Sequence, residues 1–299
     1  MKEVYTIDDL SSRDILDAGC DKPARLAVIG WPIAHSASPR MHQAALDACG
    51  INCRYIRIEV PLGQVAETFS RMCSLDFIGA NVTVPHKFDA MSACDDIDPL
   101  AQALGAVNTV RFDAQGLTGY NTDGPGFVAA VEHDFSVRLE DLKVLIVGAG
   151  GGAGQALATQ CVMSGVRHLV LVNRSVDKIV ALQGKLHAID PNVKIDIVGL
   201  DDPLLKHLSD QCDLIVTTSS VGLKPEDSCV LPVACLMKHH LVYDTIYKPA
   251  VTPLIAEAKS IGCRTSNGLS MLLNQGALSF QHWFPGTEPL SVMKEALMP

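Results

Sequence analysis

Short apolar runs alternate with amphipathic stretches along most of the chain, and each run has the length of a β-strand. In the first half this pattern predicts strands at 26–30, 53–60 and 77–84 and helices at 39–49, 64–74 and 126–135. In the second half it predicts strands at 143–147, 168–172, 195–198, 214–217 and 241–244 and helices at 155–164 and 271–283. Strands that alternate with helices in this way indicate an α/β protein.

The character of the strands changes in the second half of the chain. The runs from Lys143 onward are almost wholly apolar, as in a doubly wound parallel sheet with right-handed crossovers. We therefore predict a first α/β domain at 23–123 and a Rossmann-type domain at 124–262. Residues 263–299 are expected to form helices that pack back on the first domain, and residues 1–22 are an N-terminal extension without an assigned function.

A glycine-rich turn follows the strand at 143–147 and opens the helix at 155–164. Gly148 permits a tight turn, Gly150 lets the backbone approach a pyrophosphate, and Ala153 is small enough for the helix to pack on the strand. Free N–H groups at the start of the helix attract the anion. The sequence therefore predicts a dinucleotide site here, to which Gly151 and Gly152 also contribute.

The residues after the next strand bear on the choice of cofactor. An NAD enzyme usually carries an acidic residue there to bind the ribose 2′-hydroxyl, whereas this chain has Asn173, Arg174 and Ser175. A guanidinium suits a 2′-phosphate, and Lys178 adds a second positive charge. Asp177 argues for NAD instead. We therefore predict NADP as the cofactor and keep NAD as the alternative.

Charge and composition exclude several classes of protein. The formal net charge of −9 disfavours a nucleic-acid partner, and no apolar run approaches the length of a membrane-spanning helix. The first residues do not read as a secretory signal, so we expect a cytoplasmic location. The ten cysteines lack the spacing of a zinc site, and no metal is expected.

Four polar segments in the first half carry the candidate chemistry: 35–39, 81–87, 105–109 and 119–123. Each alone would pass for a cap or a turn, as Ser38 before Pro39 would for a helix N-cap. Together and in this order they resemble the shikimate dehydrogenase family. The resemblance continues through the glycine turn, 173–175, 244–249 and 267–276, and covers roughly residues 25 to 286.

This resemblance implies an N-terminal α/β substrate domain followed by a Rossmann-type, doubly wound dinucleotide-binding domain. Lys87 and Asp123 match the catalytic pair of the family, and Ser36 and Ser38 match its ligands for the substrate carboxylate. Other positions match groups around the substrate and the nicotinamide: Thr83, Asn108 and Gln275 for the ring hydroxyls, Tyr247 lining the same cleft, and Asn81 and Met271 near the nicotinamide. Core packing is the alternative role for Met271.

The chemistry of alcohol oxidation supports the catalytic pair independently. A group must take the hydroxyl proton as the hydride leaves carbon, and the cofactor accepts the hydride. The amine of Lys87 can take that proton. Asp123 can accept a hydrogen bond from a substrate hydroxyl and hold Lys87 in position.

Two positions depart from the family pattern. Ala37 replaces a bulkier leucine common between the two serines, and Gly154 stands where many members carry a basic side chain near the phosphates. We expect these changes to affect the substrate pocket or the cofactor affinity without removing a catalytic group.

We therefore predict an NADP-dependent shikimate dehydrogenase, monomeric or homodimeric, whose only partner is a small cyclic hydroxy acid. The nearest alternative is a quinate dehydrogenase, or a dual quinate and shikimate enzyme, that uses NAD. More remote alternatives are a non-catalytic dinucleotide sensor and a folate-linked dehydrogenase. Lys87 and Asp123 together argue against a sensor, and the serine pair argues against the folate enzyme.

Overall fold

The computed structural model describes residues 2–298, in which the chain forms two compact units. The first unit contains residues 2–123 and 273–298, and the second contains residues 124–272. Within the described residues, no helix is both long enough and apolar enough to cross a bilayer.

The first unit is built on a mixed sheet of seven strands. In chain order they are β1 (Tyr5–Thr6), β2 (Ala24–Gly30), β3 (Arg54–Glu59), β4 (Gly79–Val82), β5 (Asp96–Ile97), β6 (Thr109–Asp113) and β7 (Gly116–Tyr120). Their order in the sheet is β1-β3-β2-β4-β6-β7-β5. Strands β1 to β4 pair in parallel, whereas β6 pairs antiparallel with both β4 and β7. The carboxyl ends of β2 and β4 therefore lie at one edge of the sheet.

Helices cover this sheet through one apolar side each. In the first part of the chain they are α1 (Arg13–Leu16), α2 (Ser38–Ala48), α3 (Val65–Ser74), α4 (Lys87–Ala93) and α5 (Pro99–Leu104). In α3 the buried residues Val65, Phe69 and Met72 are spaced by four and three positions, so that they share one side of the helix. They join the core that the sheet contributes.

The N-terminal segment is part of the first unit. Tyr5 in β1 pairs with Ile58 in β3, which extends the sheet by one strand. Arg54 binds this segment to β3, because its guanidinium donates to Asp17 Oδ1 at 2.8 Å and to the Tyr5 hydroxyl at 3.1 Å. A short 3-10 helix at Ile7–Ser11 follows β1.

The second unit has a six-stranded sheet in which every neighbouring pair is parallel. Its strands are β8 (Lys143–Val147), β9 (His168–Asn173), β10 (Lys194–Gly199), β11 (Leu214–Thr217), β12 (Leu241–Asp244) and β13 (Arg264–Asn267). Their order is β10-β9-β8-β11-β12-β13. Its helices are α6 (Asp123–Phe135), α7 (Gly152–Met163), α8 (Asp177–Ile189), α9 (Leu204–Asp210) and α10 (Pro253–Ile261), with 3-10 helices at Leu139–Asp141 and Val233–Cys235.

Strand β8 shows why this sheet needs helices on both faces. Val144 and Ile146 belong to one buried core, while Leu145 and Val147 belong to another. Side chains alternate across a strand, so each face of the sheet has its own core. The apolar run in the sequence is the signature of this arrangement.

Two further helices end the chain, α11 (Leu269–Trp283) and α12 (Leu290–Leu297). From Leu273 onward they belong to the first unit, where α12 packs against α2. Arg40 in α2 donates to the Met298 carbonyl oxygen at 3.2 Å. The predicted α/β class with a Rossmann-type parallel sheet is confirmed.

Candidate active site

Lys87 and Asp123 form an ion pair in the first unit. Each is the first residue of its helix, α4 and α6 respectively, and Lys87 Nζ lies 2.5 Å from Asp123 Oδ2. The Asp123 backbone N–H donates to Asn121 Oδ1 at 3.0 Å, which fixes the start of α6. The two side chains are 29% and 18% exposed, so a small molecule can reach both. The two predicted catalytic residues are thus held together by direct contact.

Ser36 lies in the loop that connects β2 to α2, and Ser38 is the first residue of α2. The Ser36 N–H donates to the Ile33 carbonyl at 3.1 Å, and the Ser38 N–H donates to Ser36 Oγ at 3.3 Å. The alternative in which Ser38 is only a helix N-cap is not observed, because α2 begins at Ser38 and Ala37 occupies the cap position. The helix can start without a side-chain cap because Pro39 in the first turn has no N–H to satisfy.

Thr83 lies directly against the end of β2. Its N–H donates to the Ile29 carbonyl at 2.9 Å. A Cβ at Gly30 would lie 2.7 Å from Thr83 Cγ2, so glycine is required at position 30 for this close approach. Thr83 itself is half-buried at the edge of the sheet.

The carboxamide of Asn108 has a fixed orientation. The Thr122 backbone N–H donates to Asn108 Oδ1 at 2.8 Å, which leaves Nδ2 as the side that donates. Asn108 Nδ2 lies 3.0 Å from Thr122 Oγ1 and 3.5 Å from Gln275 Oε1. All three residues are buried. Asn108 and Gln275, both predicted to hold ring hydroxyls, are therefore neighbours.

Asn81 is buried in the same network and its amide is committed to protein groups. Its Oδ1 accepts from the Tyr55 hydroxyl at 2.6 Å, and its Nδ2 donates to Ser279 Oγ at 2.9 Å and Thr109 Oγ1 at 3.1 Å. Ser279 in turn donates to the Gln275 carbonyl at 2.9 Å. The contacts of Asn81 are therefore with the supports of Asn108 and Gln275, and its expected place near the nicotinamide stays a prediction.

Sequence reasoning missed most of these supporting residues. Thr109 and Thr122 lie inside two of the polar segments, directly after Asn108 and directly before Asp123. Ser279 lies one helical turn after Gln275, and that spacing was the available signal. Tyr55 gave no signal, because an aromatic residue in a buried strand is usually core.

His42 adds an apolar support beneath this network. Its ring is fully buried and stacks on Tyr55 with centroids 4.5 Å apart. Burial lowers the pKa of His42 to about 3, because the charged imidazole would lose its hydration. His42 therefore stays neutral near neutral pH.

The glycine turn of the second unit has the geometry expected of a dinucleotide site. Gly148 has a φ of +83°, which favours glycine, and its N–H donates to the Val172 carbonyl at 2.9 Å. A Cβ at Gly150 would lie 2.7 Å from Asn173 Nδ2. Glycine at position 150 therefore allows the Asn173 side chain to lie directly against the turn.

The close packing expected at Ala153 occurs at Gly154 instead. Ala153 is exposed, whereas Gly154 is buried against the turn. A Cβ at Gly154 would lie 2.3 Å from the Gly148 carbonyl oxygen. Helix α7 starts at Gly152, and this start directs residue 154 rather than 153 towards the strand. The glycine that departs from the family pattern is thus required by the backbone of this chain.

A cavity of about 330 Å³ adjoins the turn. Its lining includes the glycines Gly148, Gly150 and Gly151, the segment Asn173, Arg174 and Ser175, and Lys178. Asn173 holds the two parts together, since its Oδ1 accepts from the Gly150 N–H at 3.4 Å and its Nδ2 donates to the Ser175 carbonyl at 2.8 Å. Asp177 is not among the described residues that line it. The glycine turn, together with the positive charges of Arg174 and Lys178, fits a phosphate-bearing dinucleotide.

Tyr247 and Met271 also belong to the second unit, and buried groups hold the segments that carry them. Tyr247 follows β12, where Asp244 Oδ1 accepts from the Ile246 N–H at 3.0 Å. Asp244 is fully buried, and burial raises the pKa of its carboxyl. The Met271 N–H donates to the Tyr243 hydroxyl at 3.2 Å, and its side chain packs against the core of this unit. The packing role considered for Met271 is therefore observed.

No group of three or more His, Cys, Asp or Glu side chains that could hold a metal ion occurs among residues 2–298.

Three family models match consecutive parts of the chain. The shikimate dehydrogenase substrate binding domain matches residues 28–110, shikimate / quinate 5-dehydrogenase matches residues 129–223, and the shikimate 5'-dehydrogenase C-terminal domain matches residues 268–298. These matches include the ion pair's Lys87, the glycine turn and Gln275.

Curated and solved proteins agree with these matches. The shikimate dehydrogenase (NADP(+)) of Symbiobacterium thermophilum is 36% identical over 275 residues, which are 91% of this chain and 93% of that protein. The structure of shikimate 5-dehydrogenase from Thermus thermophilus with NADP(H) and shikimate has a TM-score of 0.81 and 34% identity, covering 91% of this chain and 98% of that one. Quinate dehydrogenase from Corynebacterium glutamicum with NAD has a TM-score of 0.82 and 30% identity, covering 92% and 99%.

Proposed function

The chain belongs to the shikimate dehydrogenase family, and on that premise we propose that it catalyses the reversible NADP-dependent reduction of 3-dehydroshikimate to shikimate. The observation that carries the proposal is the ion pair between Lys87 and Asp123, 2.5 Å apart and reachable from solvent. A dinucleotide-binding protein without catalysis has no need of such a pair.

In the proposed reaction Lys87 is the acid and base. When bound, NADPH would supply the hydride that the carbonyl carbon of the substrate receives. The Lys87 ammonium gives its proton to the carbonyl oxygen at the same time, so that a neutral hydroxyl forms. In the reverse direction the Lys87 amine takes the hydroxyl proton. Asp123 holds Lys87 in position and accepts a hydrogen bond from a substrate hydroxyl.

The remaining groups of the first unit bind the acid. Ser36 and Ser38 take the carboxylate, and Thr83, Asn108 and Gln275 take the ring hydroxyls. The Thr122 N–H fixes Asn108 Oδ1, so a substrate hydroxyl would accept from Asn108 Nδ2 in place of its long contact with Gln275 Oε1 at 3.5 Å. Tyr247 is proposed to contact the same substrate.

The second unit binds the cofactor. The pyrophosphate of the dinucleotide would be held by the backbone of five residues: Gly148, Gly150, Gly151, Gly152 and Ala153. Asn173, Arg174, Ser175 and Lys178 bind the ribose end, and the two cations favour the 2′-phosphate of NADP over the hydroxyl of NAD. Met271 is proposed to lie near the nicotinamide. The small-molecule partner, the monomeric or dimeric state and the cytoplasmic location stay predictions.

Quinate dehydrogenase is the second candidate. A quinate dehydrogenase solved with NAD matches almost the whole chain, and quinate presents a carboxylate on a saturated ring with one more hydroxyl than shikimate. Asp177, the first residue of α8, is the acidic group available to an NAD ribose.

The test is the conversion of 3-dehydroshikimate by the purified chain with NADPH, followed through the absorbance of the reduced nicotinamide and by NMR of the product. We expect one shikimate for each NADPH consumed. No consumption of NADPH, together with no reduction of NADP by shikimate, would refute the proposed function.

A further inference from the structure

Arg57 in β3 is bonded to the loop that carries the proposed carboxylate ligands. Its Nε and Nη2 both donate to the Ser36 carbonyl oxygen, at 3.1 Å and 2.7 Å. Neither the polar segments nor the matches to the family single out this residue. The same strand places Tyr55 two positions earlier, on the same face, where it supports Asn81.

The bond from Arg57 sets the orientation of the loop. The carbonyl of Ser36 and the N–H of Ala37 belong to one planar peptide and point in opposite directions. Because the Arg57 guanidinium bonds the Ser36 carbonyl, the Ala37 N–H points to the opposite side of the loop. The Ser36 N–H is held by Ile33, so both peptide groups that flank Ser36 are fixed.

The charge of Arg57 is not neutralised by a neighbouring acid. Within residues 2–298 its side chain makes no ion pair with an aspartate or glutamate, and its contacts are with a backbone carbonyl. A carbonyl oxygen is uncharged, so its hydrogen bonds leave the net charge of the Arg57 guanidinium unchanged. The guanidinium thus places a full positive charge against the backbone of Ser36, one of the two proposed carboxylate ligands, in a half-buried position where water screens it only in part.

We propose that Arg57 is a positioning and specificity-determining residue. It holds the loop between β2 and α2 that carries Ser36, and it selects substrates that carry a carboxylate. This inference rests on the proposed function. It adds to that function a reason why the chain would prefer an anionic ring to a neutral sugar ketone of similar size.

The test compares Arg57→Met and Arg57→Lys with the wild type, using shikimate and its uncharged methyl ester as substrates. In Arg57→Met we expect the KM for shikimate to rise roughly tenfold, because the substrate carboxylate loses the attraction of a nearby positive charge that water screens only in part. We expect kcat to change little, since the carboxylate does not react. The KM for the ester should change much less than that for shikimate.

Arg57→Lys retains the charge but not the paired donors, so it should recover part of the preference for the acid over the ester. The matched control is Arg71→Met in α3. Like Arg57, Arg71 donates to a backbone carbonyl, that of Ile7 at 2.9 Å, but it contacts no residue of the loop between β2 and α2. Arg71→Met should leave both KM values unchanged.

Two results would overturn the inference: an unchanged KM for shikimate in Arg57→Met, or an equal rise for shikimate and its ester. The second would mean that Arg57 holds the fold of the loop and that its charge selects nothing. Absence of turnover in the wild type would instead contradict the proposed function, so the two failures are distinguishable.

Discussion

Replacement of Lys87 by alanine separates the proposed chemistry from binding and folding. The change removes the ammonium that lies 2.5 Å from Asp123 and leaves the backbone of α4 in place. Loss of a positioned acid and base costs on the order of 10²- to 10⁴-fold in turnover. We therefore expect kcat for shikimate oxidation to fall by that factor.

The same structure predicts a small effect on stability. The ion pair is partly exposed, with side-chain exposures of 29% and 18%, and such pairs contribute at most about 1 kcal/mol to the free energy of unfolding. The groups proposed to bind the dinucleotide belong to the second unit. Affinity for NADP should therefore stay close to the wild-type value.

The assay is steady-state oxidation of shikimate with NADP, with urea unfolding and NADP titration on the same samples. Lys22→Ala is the matched control, because Lys22 pairs with Asp47 at 2.7 Å in the same unit but touches none of the proposed site residues. Lys87→Arg is a second variant, since arginine preserves the charge but does not give up a proton. A Lys87→Ala enzyme that keeps more than half of the wild-type rate would refute the acid and base role.

Three further predictions address the carboxylate ligands, the cofactor and the buried histidine. Ser36→Ala combined with Ser38→Ala should raise the KM for shikimate much more than it lowers kcat, because both hydroxyls are proposed to bind a carboxylate that does not react. Arg174→Ala should weaken NADP roughly ten- to a hundredfold while changing NAD little, because only NADP presents a 2′-phosphate to the guanidinium. His42 stays neutral in the folded chain to about pH 3 but takes up a proton in the unfolded chain below about pH 6.5. Its presence should therefore lower the free energy of unfolding by up to about 1.4 kcal/mol per pH unit as the pH falls through that window, and His42→Phe should remove this slope.

Each of these has a contrary outcome. Unchanged substrate affinity in the double serine variant would remove Ser36 and Ser38 from the site. An equal loss of affinity for NADP and NAD in Arg174→Ala would mean that Asp177 or the backbone, and not Arg174, binds the adenosine ribose. Identical pH dependence of urea unfolding in wild type and His42→Phe would show that His42 is not held neutral by burial.

The sequence predicted those elements whose pattern is long and regular. Strand β8 and the strands that pair beside it are apolar at nearly every position because they have a core on each face. Such a continuous apolar run can be recognised in the sequence alone. The glycine turn was predicted because strand, turn and helix follow each other directly. Lys87 and Asp123 were predicted as a catalytic pair from the resemblance of the ordered polar segments to the shikimate dehydrogenase family, which the pattern of helices and strands alone does not supply.

Short or paired elements were not predicted. Strand β1 has two residues, and its partner β3 lies about fifty positions later, so no local pattern records the pairing. The hairpin of β6 and β7 turns through a two-residue loop at 114–115, without the usual turn signal of an Asn-Gly or Asp-Gly pair. Both are decided by tertiary contacts.

Within the candidate site, the residues proposed to touch ligands are easier to predict than those that support them. Arg57 and Tyr55 lie in a strand whose sequence shows only alternation, and their bonds to Ser36 and Asn81 join distant parts of the chain. The error at Ala153 has a different cause. The spacing of the glycine pattern does not state where α7 begins, and the contact at Gly154 depends on that start.

The choice of substrate and cofactor is measured by kcat/KM for shikimate and quinate, each with NADP and with NAD, under one set of conditions. We expect the highest value for shikimate with NADP. A highest value for quinate with NAD would contradict it.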